Sequence, residues 1–192
     1  MKGSIALVLG GLALAGGTSS PALGQDAEMG RQVAGMCRTC HGLDGYARIP
    51  VAPHIGGEPA SYLAAQLRAF RSGEREHEMM SVVAASLSDA QIEDVAAWYA
   101  AHEAVATLEA GPEGAPEACT TCHGTDGLAL VEDVPNLAGE SNIYIDTQLK
   151  AFRSGKRVHE VMSPIAQTLT DGEIRAVADW YGAVALEIAP PT

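Results

Sequence analysis

The chain carries the same text twice. Cys37-Arg38-Thr39-Cys40-His41-Gly42 returns 82 positions later as Cys119-Thr120-Thr121-Cys122-His123-Gly124, and the offset then runs on without a gap. It maps Tyr62 onto Tyr144 and Ala69-Phe70-Arg71-Ser72-Gly73 onto Ala151-Phe152-Arg153-Ser154-Gly155. It also maps His77 onto His159, Met80 onto Met162, and Trp98-Tyr99 onto Trp180-Tyr181. Only two copies exist, and each holds a complete motif set, which describes a duplicated domain rather than a solenoid. The expected units are 25–102 and 117–192, joined by a linker over 103–116 that Gly111, Pro112, Gly114 and Pro116 punctuate.

Units of this size are marginal on their own. A domain of about 80 residues usually needs a disulfide, a metal or a cofactor to complete its interior. With 5% aromatic residues, two Phe and two Trp among them, the chain has few large side chains for two cores. What there is falls on helical spacings. Over 59–72 the pattern puts Leu63, Gln66, Leu67 and Phe70 on one face, with Gly73 as a stop. Ser88-Asp89-Ala90-Gln91 and Thr170-Asp171-Gly172-Glu173 have the capping-box form, each opening a further helix. A first helix is expected over about 26–36, its counterpart in the second unit being reduced to a turn. No segment alternates convincingly as a strand, so the expected fold class is all-α.

All four cysteines fall in the two Cys-x-x-Cys-His motifs. The pair alone fits a redox dithiol, half a zinc site or a disulfide. The histidine directly after each pair reads as covalent attachment of c-type haem. Cysteines one helical turn apart can form thioethers at the two vinyl positions, and the next residue then lies beneath the iron. Cys37, Cys40, Cys119 and Cys122 are therefore the candidate attachment points, and His41 and His123 the candidate proximal ligands. Met80 and Met162 each follow their histidine by 39 residues, whereas Met79 is matched by Val161. The repeat thus selects Met80 and Met162 as distal ligands, with His77 and His159 as rivals. Pro53 and Pro135 are equivalent, and their carbonyls are candidate acceptors for the proximal rings, against an ordinary turn role. Arg71, Arg75, Arg153 and Arg157 are candidates for haem propionates or a solvated face. Trp98 and Trp180 read as core packing.

Twelve Lys and Arg stand against 24 Asp and Glu, a formal net charge of −12 that disfavours nucleic acid. Lys2, an apolar run over 5–15 too short to span a bilayer, and the small residues ending at Ala22-Leu23-Gly24 describe a signal peptide over 1–24. The expected compartment is the periplasm.

With these motifs the chain resembles the dihaem cytochrome c4 family, tandem class I cytochrome c domains. The resemblance rests on the paired haem motifs and on Tyr-x-x-x-Gln-Leu-x-Ala-Phe-Arg-x-Gly-x-Arg at Tyr62 to Arg75 and Tyr144 to Arg157. It extends to the runs from Met80 and Met162 and to Pro116-Glu117-Ala118-Cys119. It implies two covalently attached haem c groups, with His41 and His123 proximal and Met80 and Met162 distal, and delivery of electrons to terminal oxidases. Two features depart from it. Glu58 and Glu140 stand where the family often has Gln. Both halves are acidic, at −4 over 25–102 and −9 over 103–192, which favours a positively charged docking site on the partner.

The function expected is electron transfer between respiratory partners, with a quinol-oxidising complex or dehydrogenase as source and no enzymatic activity of its own. The alternative is the cytochrome subunit of a periplasmic dehydrogenase. A dihaem peroxidase, from a different class, needs an iron open to peroxide, and here each unit offers a sixth ligand.

Overall fold

The computed structural model describes residues 26–109 and 111–191, so the expected signal peptide over 1–24 lies outside the described residues. The first unit runs α1 (Ala27–Ala34), α2 (Arg38–His41), α3 (Ala60–Ser72), α4 (Met80–Ala85), α5 (Asp89–Ala100) and β1 (Glu103–Thr107). The second runs α6 (Glu117–His123), α7 (Asn142–Ser154), α8 (Met162–Thr168), α9 (Asp171–Gly182) and β2 (Ala185–Ala189).

Local chemistry sets these boundaries. Asp26 caps α1, its side chain accepting from the Glu28 and Met29 N–H groups. Both capping boxes form: Ser88 with Gln91 opens α5, and Thr170 with Glu173 opens α9. Helices α3 and α7 stop at Gly73 and Gly155, which take left-handed φ of 85° and 76°.

In each unit the long helix and the last helix form the core. Leu63, Ala64, Ile92, Val95 and Tyr99 cluster in the first, and Ile145, Leu149, Ile174, Val177 and Tyr181 in the second. Helix α1 crosses α5 closely enough that a Cβ at Gly30 would stand 2.0 Å from the Asp94 carbonyl oxygen. Among the described residues the second unit shows no such helix: the matching stretch is the linker, and α6 begins at Glu117 and leads straight into the motif.

The linker is less of a linker than its composition suggests. Its first five residues form β1, which pairs antiparallel with β2 at the end of the second unit. The helical class stands, with a two-stranded ribbon added. Val105 is partnered by Glu187, its own mate in the 82-residue repeat. The ribbon therefore lies about a pseudo-two-fold axis relating the two units. Its partners are some 80 residues apart in sequence, and neither five-residue segment announces itself alone.

The side chains between the units obey the same symmetry. Arg75 donates to Gln66 in its own unit and to Tyr144 and Gln148 in the other; Arg157 donates to Gln148, Tyr62 and Gln66. Each guanidinium also lies over a phenylalanine ring, Phe70 at 4.5 Å and Phe152 at 4.4 Å.

Candidate haem sites

Each motif sits on a short helix that ends at a glycine. Gly42 and Gly124 share φ 74° and ψ 159°, and a Cβ at either would come within 2.4 Å of a backbone oxygen, so the turn requires glycine. The turn is then gripped from the last helix. Tyr99 and Tyr181 donate their hydroxyls to the Gly42 and Gly124 carbonyls, both at 3.1 Å. The Trp98 and Trp180 indoles donate one residue further on, to Leu43 and Thr125. The tryptophans are structural, as their spacing suggests. The tyrosine anchors went unread in the sequence, although the repeat of Trp-Tyr marked the place.

His41 and His123 are buried at 7% and 6% exposure. The Nδ1 of His41 lies 2.9 Å from the Pro53 carbonyl and that of His123 lies 2.9 Å from the Pro135 carbonyl. A carbonyl only accepts, so Nδ1 carries the proton and Nε2 keeps its lone pair free. Burial holds both rings below the usual histidine range, against the pull of the proline carbonyls; for His41 the nearby His77 adds to the lowering. A neutral imidazole fixed by Nδ1–H donation to a carbonyl is the form in which histidine binds a metal.

The cysteines of each motif are not joined as disulfides, and burial pushes the Cys37 and Cys119 thiols up. A redox dithiol shows the opposite shift. Among the described residues no three His, Cys, Asp or Glu side chains gather into a metal-holding group. Unlinked thiols beside a free Nε2 suit covalent haem attachment.

Met80 and Met162 open α4 and α8 and are half-buried, whereas Met79 is 60% exposed and Val161 50%. His77 and His159 are exposed and have another use. Each Nδ1 accepts from the N–H groups that open the methionine helix, those of Met79 and Met80 or of Val161 and Met162. Their own N–H groups are taken by Ser81 and Ser163. The rival ligands are thus engaged in holding the methionine helices.

Two of the four arginines are likewise spoken for. Arg71 reaches Asp89 at 2.5 Å and the Leu87 carbonyl at 3.0 Å, and Arg153 repeats this with Asp171 and Leu169. They tie down the loops that enter α5 and α9. Arg75 and Arg157 are held between the units and form no ion pair with a carboxylate among the described residues.

A family model described as cytochrome C oxidase, cbb3-type, subunit III matches residues 24–98 and again 106–180, the spacing of the sequence repeat. A cytochrome c4 of Pseudomonas aeruginosa is 31% identical over 199 residues, covering 92% of this chain and 94% of that protein. The chain belongs to the cytochrome c4 family. A thiosulfate dehydrogenase electron acceptor from Stutzerimonas stutzeri is 34% identical over 169 residues, covering 77% of this chain and 78% of its own. The crystal structure of reduced recombinant cytochrome c4 from Pseudomonas stutzeri superposes with a TM-score of 0.71 at 26% identity, covering 83% of this chain and 99% of that one. As a member of the family, this cytochrome carries two covalently attached haem c groups and transfers electrons. No helix among the described residues is long and apolar enough to cross a membrane.

Proposed function

We propose that the chain is a periplasmic electron carrier that takes electrons from a dehydrogenase or quinol-oxidising complex and passes them toward a terminal oxidase. Its domains are 25–102 and 117–192, and its two irons are ligated by His41 with Met80 and by His123 with Met162. Thioethers form at Cys37 and Cys40, and at Cys119 and Cys122. The observation that carries this reading is the matched pair of buried histidines, each with Nδ1–H donated to a proline carbonyl and Nε2 free.

The chain's residues do little chemistry and much positioning. The proline carbonyls fix ring orientation and ligand basicity. The His77 and His159 caps hold the methionine helices, and Tyr99 and Tyr181 hold the turn after each motif. Haem so held supplies a one-electron couple that changes little in geometry on transfer. His41 with Met80 and His123 with Met162 would hold the two irons from the chain's own side chains, which would leave no place for a substrate and would set these sites apart from a peroxidase. The similarity to a thiosulfate dehydrogenase electron acceptor favours a dehydrogenase as the donor.

The oxidised holoprotein is expected to show a methionine–iron charge-transfer band. Met80→Ala and Met162→Ala are each expected to remove about half of it, two equivalent ligand sets being present. Complete loss in one variant and none in the other defeats the symmetric assignment, and a high-spin resting haem revives the peroxidase. Stopped-flow reduction by thiosulfate dehydrogenase with thiosulfate, set beside reduction by a quinol-oxidising complex, tests the donor.

A further inference from the structure

Glu58 and Glu140 are repeat mates, only 4% and 3% exposed, and both lie between the units. Neither forms an ion pair among the described residues. The charged and titratable groups around them are each other, His54, Tyr62, Tyr144, Arg75 and Arg157, and the two guanidiniums are given to Gln and Tyr side chains.

What they bond to is specific. Glu58 Oε2 accepts from the Asn136 N–H at 3.0 Å. That N–H belongs to the peptide group whose carbonyl, Pro135 O, takes the Nδ1 proton of His123 at 2.9 Å. Glu140 Oε1 accepts from the His54 N–H at 2.8 Å, and the carbonyl of that peptide, Pro53 O, takes the Nδ1 proton of His41 at 2.9 Å. In both cases one peptide group stands between a buried carboxyl of one unit and the proximal histidine of the other.

We propose that Glu58 sets the reduction potential of the C-terminal haem and Glu140 that of the N-terminal haem, each through a single peptide group across the domain boundary. The inference rests on His41 and His123 being the proximal ligands. A carboxylate drawing on a peptide N–H polarises that peptide and makes its carbonyl a stronger acceptor, since hydrogen bonds in series reinforce one another. A stronger acceptor pulls the Nδ1 proton, gives the ring more imidazolate character and raises ligand basicity. That favours ferric over ferrous iron. A neutral acceptor in the same place, a protonated carboxyl or a glutamine, does this less. Glu58 and Glu140 are positioning residues here, acting on the iron only through the histidine.

The charge on Glu58 varies near neutrality. Burial pushes Glu58 up to about 8, against the Asn136 N–H, and pushes Glu140 well above its ordinary range, with the Glu58 charge adding to it. The pair therefore loses its protons in separate steps. The potential of the C-terminal haem is expected to fall as pH rises through the Glu58 transition, and that of the N-terminal haem to fall where Glu140 loses its proton.

The test is optical redox titration of the full-length holoprotein at about pH 6 and about pH 9, on either side of the Glu58 transition. The two haems are told apart by their hyperfine-shifted methyl resonances in the oxidised form. At the higher pH, Glu58→Gln is expected to change the reduced-to-oxidised ratio of the C-terminal haem several-fold toward reduced at fixed ambient potential, and to move the N-terminal haem less. Glu140→Gln is expected to do the converse, and both differences shrink at the lower pH. Glutamine keeps an acceptor oxygen and nearly the same volume, so the interface is retained. Equal shifts at both haems would mean long-range charge alone, and a larger shift at the haem of the mutated unit would reverse the assignment; either overturns the proposal, as does no shift. Failure of the ligand assignment shows separately, as a wild-type spectrum without low-spin, histidine-ligated haem.

Discussion

The two units are written in nearly the same text, yet they differ in how each is closed. The N-terminal unit has α1 laid across α5; in the C-terminal unit that stretch of sequence became the linker, and among the described residues α9 has no equivalent helix against it. Where the copies agree tells as much. The turn glycines, the tyrosine and tryptophan anchors, the proline acceptors, the helix-capping histidines and the interface arginines all occur twice with nearly equal distances. The copies match in the side chains that hold the haem motif and in the arginine, glutamine and tyrosine cluster between the units. They part most in the outer packing of the first helix.

The largest effect should come from the close crossing that one unit has and the other lacks. At Gly30 a Cβ would meet the Asp94 oxygen at 2.0 Å and the Trp98 Cβ at 2.9 Å, both on the core helix, so neither neighbour can swing aside. Gly30→Val should cost about 3 kcal/mol by forcing α1 off α5. Pro112, its repeat mate in the linker, should tolerate the same change. Hydrogen exchange is the measurement: α5 amides should speed up while α9 amides do not. If both helices speed up together, the units unfold as one and the contrast between them fails.

A smaller effect tests the matched part. Tyr99→Phe and Tyr181→Phe each leave the carbonyl of a buried turn glycine without its partner, at 2% and 0% exposure of the tyrosine. Each should cost about 1–2 kcal/mol in denaturant unfolding of the holoprotein. The two costs should agree, and a difference beyond experimental error would show that the turns are not held alike.

The sequence made much of this legible because duplication acts as an internal control. A residue kept at the 82-residue offset, such as Met80 against Met79, is separated from its neighbours without any further comparison. Capping boxes and left-handed glycines were readable for a different reason: their chemistry is local, confined to four residues. The ribbon was not readable, because Val105 and Glu187 form a strand only in one another's presence. The same holds for Glu58 and Glu140. As sequence they were a departure from the family's usual Gln, and only the fold set each against the peptide behind the other unit's histidine. The arginines split along the same line: Arg71 pairs with Asp89, the first residue of α5 and 18 residues on, whereas Arg75 reaches 73 residues along the chain to Gln148.

The smallest effect concerns a place between the units where the repeat mates differ in whether they titrate. His54 and Asn136 are repeat mates with the same work to do. The His54 Nδ1 accepts from Ala47 N–H and its Nε2 lies 3.0 Å from the Gly139 carbonyl; Asn136 accepts from Ala129 N–H and donates to the Gly57 carbonyl, also at 3.0 Å. A neutral imidazole and an amide offer the same acceptor and donor, but only the imidazole titrates near neutrality. Burial holds His54 below the usual histidine range, helped by His41 and opposed by the Gly139 carbonyl and Asp44. A second proton would place a donor against the Ala47 N–H. As pH falls below about 6.5, the unfolded chain takes up that proton before the folded one does, so stability drains away through the window down to the lower folded value. Above it the contribution is constant. His54→Asn should therefore match wild type near neutral pH and lose part of the acid-side fall in its denaturant midpoint, and Asn136→His should add a similar fall. An acid slope unchanged in His54→Asn would mean that the ring protonates without loss of its Ala47 contact, and the equivalence of the two residues would then be one of shape alone.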